Sequence, residues 1–358
     1  MGDDRARPRG LAALVVLLLA GGCGGSASRV DPAVKRVVSA GVPGVLVLVR
    51  DGDHTQTAAA GLADLGAHRK LRPEDRFRVG SVTKTFVATV ALELAAERRL
   101  RLDDPIERWL PGLLPDGGRI TIRDLLAHRS GLADVADDPE VLNGSRAAWS
   151  PRRLVALVAR RPRVGAAGGA FHYSSTNYLV LGLLVRRVTG RSVAAELQRR
   201  IIGPLHLRAT AYRPGPLSGR YVHGYRLVSH QGVVDPTAAP RDLELQSARW
   251  AGASGDLVSS AGDLARFLAA LLGGKLLPPR ELRAMEAVSP RYGFGLAVYP
   301  TRCGLAWGHT GNLNGVLTIA WSTRDGHRQA VVMANAYPLP AAADTALRRA
   351  AVTAFCGR

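Results

Sequence analysis

Lysine is nearly missing from this chain. Of 48 basic residues only four are lysines, Lys35, Lys70, Lys84 and Lys275, which leaves 44 arginines. A position that needs only positive charge is expected to carry Arg, so each lysine invites a chemical reading. Lysine can lose its proton when desolvated, whereas a guanidinium stays charged at any accessible pH. Aromatic residues are also scarce, at 5%, and no basic stretch is interleaved with them. Nucleic-acid recognition is therefore not expected despite a formal net charge of +19. The charge points instead to residence near an anionic cell envelope. The nine histidines are dispersed, so no metal centre is expected. Glycine-rich nucleotide loops, internal repeats and low-complexity tracts are absent, and no cofactor is expected.

Long hydrophobic runs are lacking too. The ten apolar residues Leu11–Ala20 are too few to span a bilayer. They follow Arg5, Arg7 and Arg9 and precede Gly21-Gly22-Cys23, the layout of a secretory signal. The small residues before Cys23 resemble a bacterial lipobox, which implies cleavage there, a lipid on Cys23 and a membrane anchor at the outer face of the cytoplasmic membrane. Residues 1–28 are accordingly set apart as signal and linker. Cysteine is limited to Cys23, Cys303 and Cys356. Outside the cytoplasm the last two can form a disulfide closing 53 residues, worth about 4 kcal/mol on the chain-entropy model. The alternative is a pair of reduced core thiols.

What remains, 47% hydrophobic and 22% charged, is ordinary globular composition. Asp31 to Ala40 reads as a helix. Gly44–Arg50 and Thr55–Gly61 read as strands paired around Asp51-Gly52-Asp53. Phe77 to Gly80 reads as a short strand and Thr85–Leu100 as a helix. From Leu102 to about Trp250 the pattern is mostly helical, with helices over Ile122–Ala127, Pro151–Arg160, Asn177–Thr189 and Val193–Ile202. Strands return at Tyr292–Tyr299, Leu305–His309, Val316–Ser322 and Gln329–Ala334, and a helix over Ala341–Phe355 closes the chain. Strands at both ends with helices between predict an α+β fold. One antiparallel sheet, from about 29–100 plus 251–358, is flanked by helices and interrupted by a helical insertion of about 101–250.

Against the scarcity of lysine, Ser81-Val82-Thr83-Lys84 stands out. Ser and Lys three apart share a helix face, which sets a neutral amine where it can take the serine proton. Composition alone would yield roughly 0.2 such pairs, so the motif needs context. It follows a short strand and opens a helix, where free N–H groups and the helix dipole favour developing negative charge. Two further segments supply partners. Tyr173, in Phe171-His172-Tyr173-Ser174-Ser175-Thr176-Asn177-Tyr178, can share a proton with a lysine as general acid or base. Trp307-Gly308-His309-Thr310-Gly311-Asn312 reads as the end of a strand whose edge N–H can complete an oxyanion hole.

Together these segments resemble the serine β-lactamase and penicillin-binding family, and most nearly its secreted D-alanyl-D-alanine carboxypeptidases and class C β-lactamase-like hydrolases. The matches are Ser81-Val82-Thr83-Lys84, Tyr173-Ser174-Ser175 in the place of Tyr-x-Asn, and His309-Thr310-Gly311, in the family's order. Leu125-Leu126-Ala127-His128-Arg129-Ser130-Gly131-Leu132 is similar to a segment of the same proteins. Cys303 and Cys356 resemble the disulfide of a secreted DD-carboxypeptidase. The resemblance implies a β-lactamase/transpeptidase-like fold and a reaction through a Ser81 ester, with no metal or organic cofactor. Lys84 and Tyr173 would move protons, backbone N–H groups of Ser81 and Asn312 would hold the oxyanion, and Ser175, His309, Thr310 and Gly311 would line the substrate edge.

Two departures bear on the substrate. Ser175 replaces the Asn of the second motif, and its shorter side chain reaches less far toward an amide; Asn177 is out of register for that role. Where the carboxypeptidase pattern has Arg after Gly-Leu, this chain has Ala297, with Arg302 as a substitute cation for a terminal carboxylate. The expectation is an envelope serine hydrolase acting on D-alanyl-D-alanine wall peptides, the peptidoglycan stem peptide or a related small ester or amide serving as partner. An esterase or β-lactamase is the enzymatic alternative. A lipoprotein that binds peptidoglycan or β-lactams without catalysis is the alternative of another class.

Overall fold

The alternating apolar residues of the first predicted strand decide how the layers form. In the computed structural model, β1 (Gly44–Asp51) sends Val45 and Val47 into one apolar layer and Leu46 and Leu48 into another. A strand buried on both faces needs hydrophobic residues at every position, which is why Gly44-Val45-Leu46-Val47-Leu48-Val49 shows no polar alternation. The structure describes residues 31–142, 149–213, 217, 220–227, 229–230, 233–234, 241–243 and 250–357. The signal-like segment and Cys23 lie outside them.

In chain order the elements that matter are α1 (Asp31–Ser39), β1, β2 (His54–Asp64), β3 (Arg69–Lys70), β4 (Phe77–Arg78) and α2 (Thr83–Ala96). The helical stretch follows, with α3 (Ile122–Leu126), α4 (Pro151–Ala159), α5 (Ser175–Thr189) and α6 (Val193–Leu197). Then come β5 (Ala211–Tyr212), β6 (Leu257–Ser259), α7 (Ala261–Leu272), β7 (Ala297–Thr301), β8 (Gly304–Leu313), β9 (Val316–Ser322), β10 (Arg328–Ala334) and α8 (Ala341–Cys356). Seven strands make one sheet in the order β7-β8-β9-β10-β1-β2-β3. Its two ends of the chain meet where β1 pairs antiparallel with β10, from Val45 opposite Ala334 to Asp51 opposite Arg328.

One face of the sheet is covered by α1 and α8, through Val34, Val37, Leu347, Ala351 and Phe355. The other carries α7 and α2, through Leu264, Leu268, Phe86 and Val90. Phe86 and Phe267 stack there with centroids 3.6 Å apart. Ser150 caps α4 by accepting from Arg153 N, with Pro151 in the first turn. Cys303, in the turn between β7 and β8, is bonded to Cys356 at the end of α8 with Cα atoms 5.6 Å apart.

Three expectations need correction. The strand foreseen over Tyr292–Tyr299 begins only at Ala297; before it a tight loop closes by Gly293 N donating to Leu296 O at 2.7 Å. Gly295 turns at φ +66, where a Cβ would strike Lys84 O and Tyr178 Oη at 2.8 Å each. The strand foreseen over Leu305–His309 runs on to Leu313, so His309-Thr310-Gly311 lies within a strand and not at its end. Only the pairing with β7 stops, at Gly308. The helix foreseen over Thr85–Leu100 starts at Thr83, after a 3-10 turn over Gly80–Val82 that holds Ser81. The middle of the chain also contains two-residue ladders such as Tyr225–Arg226 with Arg241–Asp242, too short to leave a period in the sequence.

Candidate active site

Ser81 is presented by a turn whose backbone has little freedom. Val79 N donates to Leu257 O at 3.0 Å, and Leu257 N donates to Thr83 Oγ1 at 3.1 Å, so β6 grips both sides of the turn. Val82 is wholly buried and pins it from below. One helical turn on, Lys84 is also fully buried. Its Nζ lies 2.9 Å from Ser81 Oγ and donates to Ser254 O at 2.9 Å. Burial pulls the amine down from its ordinary range to about 7, and the Asp134 carboxylate opposes this. An amine that gives one hydrogen to Ser254 O can, when neutral, turn its lone pair on the serine hydroxyl.

Tyr173 enters from the loop before α5. Its ring centroid lies 5.0 Å from Lys84 Nζ and 4.3 Å from that of His128, and its hydroxyl faces the Ser81 hydroxyl. The residue stays 38% exposed, so the ring forms a wall of the cleft while the phenol points to its floor. Loss of solvent around the hydroxyl, together with the Asp134 charge, holds the phenol protonated well above its usual range. Asp134 is itself pinned: its Oδ1 accepts from Ser175 N at 2.9 Å and Ala136 N at 3.0 Å. Burial raises its carboxyl, while those N–H groups and Lys84 draw it down.

The third segment reaches Ser81 because two glycines let backbone meet backbone. A Cβ on Gly311 would stand 2.1 Å from Val79 O and 2.7 Å from Ser81 N, and one on Gly80 (φ +52) 2.7 Å from Asn312 N. Thr310 N donates off the β9 ladder, to Tyr299 Oη at 3.2 Å. Strand alternation therefore turns Asn312 N to that same open side, toward Gly80 and Ser81. Thr310 is half-buried and Asn312 exposed along this edge.

The His309 imidazole turns inward and is 4% exposed. Its Nε2 lies 3.0 Å from Tyr292 Oη, which lies 3.2 Å from His128 Nε2. On the far side His128 Nδ1 accepts from Ser174 N at 3.1 Å and meets Asn177 Nδ2 at 3.0 Å. Asn177 Oδ1 accepts from Ser130 Oγ at 2.5 Å. Burial and the nearby Lys84 hold both imidazoles neutral, His309 at about 3 and His128 well below its ordinary range.

Ser81, Lys84, Tyr173, His309, Thr310, Gly311 and Asn312 are thus brought to one cleft. Ser175 opens α5 with a buried side chain and gives its N–H to Asp134. Asn177 is spent inside the protein. Arg302 does not serve: it sits in the β7–β8 turn, seven residues from His309 along extended strand, roughly 20 Å away. Sequence reasoning missed Ser254, Asp134, Tyr292 and any role for His128. The contacts of Ser254 and Lys84 span 170 positions, a distance no local pattern can signal. His128 carried a faint mark, lying in the resembling Leu125–Leu132 segment. Among the described residues no three His, Cys, Asp or Glu are grouped to hold a metal.

A serine in a strand-to-helix turn, a desolvated lysine one turn on and a sheet edge against the serine N–H define the active-site-serine class of acyl-transfer folds. The Beta-lactamase family matches residues 27–355, and the chain belongs to that family. Among solved structures, the D-stereospecific amidohydrolase of a Streptomyces species is similar at TM-score 0.81 and 34% identity, covering 92% of this chain and 98% of that one. A D-aminopeptidase of Brucella canis is 28% identical over 307 residues, 82% of this chain and 56% of that protein. Esterase EstB of Burkholderia gladioli is 35% identical over 181 residues, 47% and 46% of the two chains. The chain spans between 43% and 63% of the length of the curated relatives it first matches.

Proposed function

We propose that this protein is a serine amidohydrolase that cleaves the amide of a D-amino acid, or of a short peptide containing one, through an ester on Ser81. One observation carries the choice of substrate. The side chain opening the third motif is a neutral imidazole, and among the described residues the groups set around Ser81 (Lys84, Tyr173, Tyr292, His128 and His309) include no guanidinium. With Ala297 at the position of the expected Arg and Arg302 out of reach, a carboxylate beside the scissile bond finds no bidentate partner among the described residues. A D-alanyl-D-alanine carboxypeptidase depends on that partner, so a substrate without the carboxylate fits better. The D-specificity rests on the amidohydrolase and D-aminopeptidase relatives.

In this reading Lys84, near neutrality at pH 7, takes the Ser81 proton as Oγ attacks the carbonyl carbon. The N–H groups of Ser81 and Asn312 receive the oxyanion. Tyr173 stays protonated in the resting enzyme and hands its proton to the departing nitrogen as the C–N bond breaks, regaining one from Lys84. Water then adds to the ester, giving a proton back through the same pair, and the acid leaves. An ester would follow the same course with an easier leaving group, so esterase activity is expected alongside. The signal-like start with Cys23 and the Cys303–Cys356 bond support an envelope location, anchored by lipid, with wall-derived peptides or small amides as substrates.

Steady-state hydrolysis of D-phenylalaninamide and of an acylated D-Ala-D-Ala peptide, each with wild type and Ser81→Ala, tests this. The amide should be favoured at least about tenfold in kcat/KM, and the variant should lose roughly a thousandfold or more. Preference for the peptide would overturn the reading.

A further inference from the structure

We propose that Tyr292 and His128 are positioning residues that lock His309 as a single uncharged tautomer, and that this lock keeps the substrate edge selective for leaving groups without a carboxylate. The inference rests on the amide reading above and adds the device that enforces it.

The chain of bonds has a fixed polarity because backbone groups hold both ends. At one end Ser174 N–H can only donate, so His128 Nδ1 carries the lone pair and its proton is on Nε2. That N–H points at Tyr292 Oη, 3.2 Å away, so the phenol oxygen accepts and its own hydrogen is free for His309 Nε2 at 3.0 Å. His309 then carries its proton on Nδ1, which faces the Thr310 carbonyl, a group that can only accept. The opposite arrangement would set an imidazole lone pair against a carbonyl lone pair. The Tyr178 hydroxyl, which donates to Leu126 O at 3.1 Å, also touches Tyr292. It cannot claim the Tyr292 hydrogen without creating that clash.

Every nitrogen of the two rings is therefore occupied, and a proton added to His309 Nε2 would displace the Tyr292 hydrogen. The groups facing His309 reinforce this. Lys84 supplies repulsion to a second cation, Tyr173 and Tyr292 stand with ring centroids 6.3 and 5.6 Å away, and Tyr299 Oη is bound to Thr310 on the same strand. Among the described residues no carboxylate faces His309 to favour an imidazolium. Burial of His309, which holds it near 3, acts in the same direction.

Long-range proton–nitrogen spectra of protein labelled with nitrogen-15 in histidine, between pH 5 and 8, read the lock without reference to activity. Assignment uses His309→Gln and His128→Gln. Expected are a pyrrole-type Nδ1 and pyridine-type Nε2 at His309 and the reverse at His128, unchanged across the range. A protonated His309, or its Nε2–H tautomer, would overturn the lock.

Tyr292→Phe tests the consequence, because it keeps the ring and removes the hydroxyl that joins the imidazoles. The kcat/KM for D-phenylalaninamide should fall about tenfold, and at pH 5.5 the acyl-D-Ala-D-Ala to amide ratio should rise about fivefold over wild type. An unchanged ratio in a folded variant with an unchanged melting temperature would reject the specificity role. Should wild type itself prefer the carboxylate substrate, the amide reading fails while the tautomer spectra still decide the lock.

Discussion

At the scale of single residues, Lys84 carries the most consequence. Its amine is held at about 7 by burial, so kcat/KM should fall tenfold per pH unit below that value and level off above it. A rate profile from pH 5 to 9 checks this; an acid limb centred near 5 would remove Lys84 as proton acceptor. Lys84→Arg should fold and fail to acylate, since the guanidinium keeps its charge. The same residue burdens stability. Its folded pKa lies below the unfolded 10.5, so the unfolded chain binds more protons between pH 7 and 10.5 and stability rises with pH there. At pH 6 the charge is present in both states and its burial counts in full. Lys84→Met should therefore be inactive yet more stable at pH 6 by about 1–3 kcal/mol, a gain that fades toward pH 10.5. Denaturant midpoints at the two pH values measure it.

At the scale of elements, catalysis depends on how closely β8 approaches the Ser81 turn. Gly311→Ala would drive a Cβ to 2.1 Å from Val79 O, forcing strand and turn apart by about 1 Å, a displacement able to cost a hundredfold in rate. The expected result is a protein that still folds but melts lower, with kcat/KM reduced about a hundredfold at temperatures where it is folded; near-normal rates would mean that Asn312 N is not part of the oxyanion site. These elements differ in how plainly they could be read. The helix carrying Lys84 was visible because Phe86, Val90, Leu94 and Ala95 recur at helical spacing. The loop at Tyr292–Leu296 was not, because Tyr-Gly-Phe-Gly-Leu alternates like a strand. Gly295 is there for close contact with α2 and Gly293 for close approach to Met285 O, a three-dimensional reason.

At the scale of the whole molecule, the sheet joins residues 44–70 to residues 297–334, and the disulfide ties its β7–β8 turn to α8. Replacing Cys303 and Cys356 together by Ser should lower unfolding free energy by about 2–4 kcal/mol, less than or equal to the loop-entropy value. The bond is some 20 Å from His309 along the strand, so activity at 25 °C should be unchanged. Chemical denaturation and amide hydrolysis on the same sample check both halves. A fall in activity without loss of stability would contradict this separation.

The chain by itself determined which side chains were candidates for the proposed chemistry and in what order, because a rare lysine among arginines, a strand-to-helix serine and a glycine-spaced edge are local features of composition and spacing. It also determined the layered fold, through apolar periodicity at its two ends. Only the tertiary structure decided the environment of those groups: that Lys84 is dry and near neutrality, that Ser254 O and Asp134 flank it, and that His309 is a neutral link to Tyr292 and His128. Desolvation and hydrogen-bond polarity arise between residues from different segments, Lys84 and Ser254 170 positions apart and His128 and Tyr292 164 apart, and no pattern along the chain encodes them.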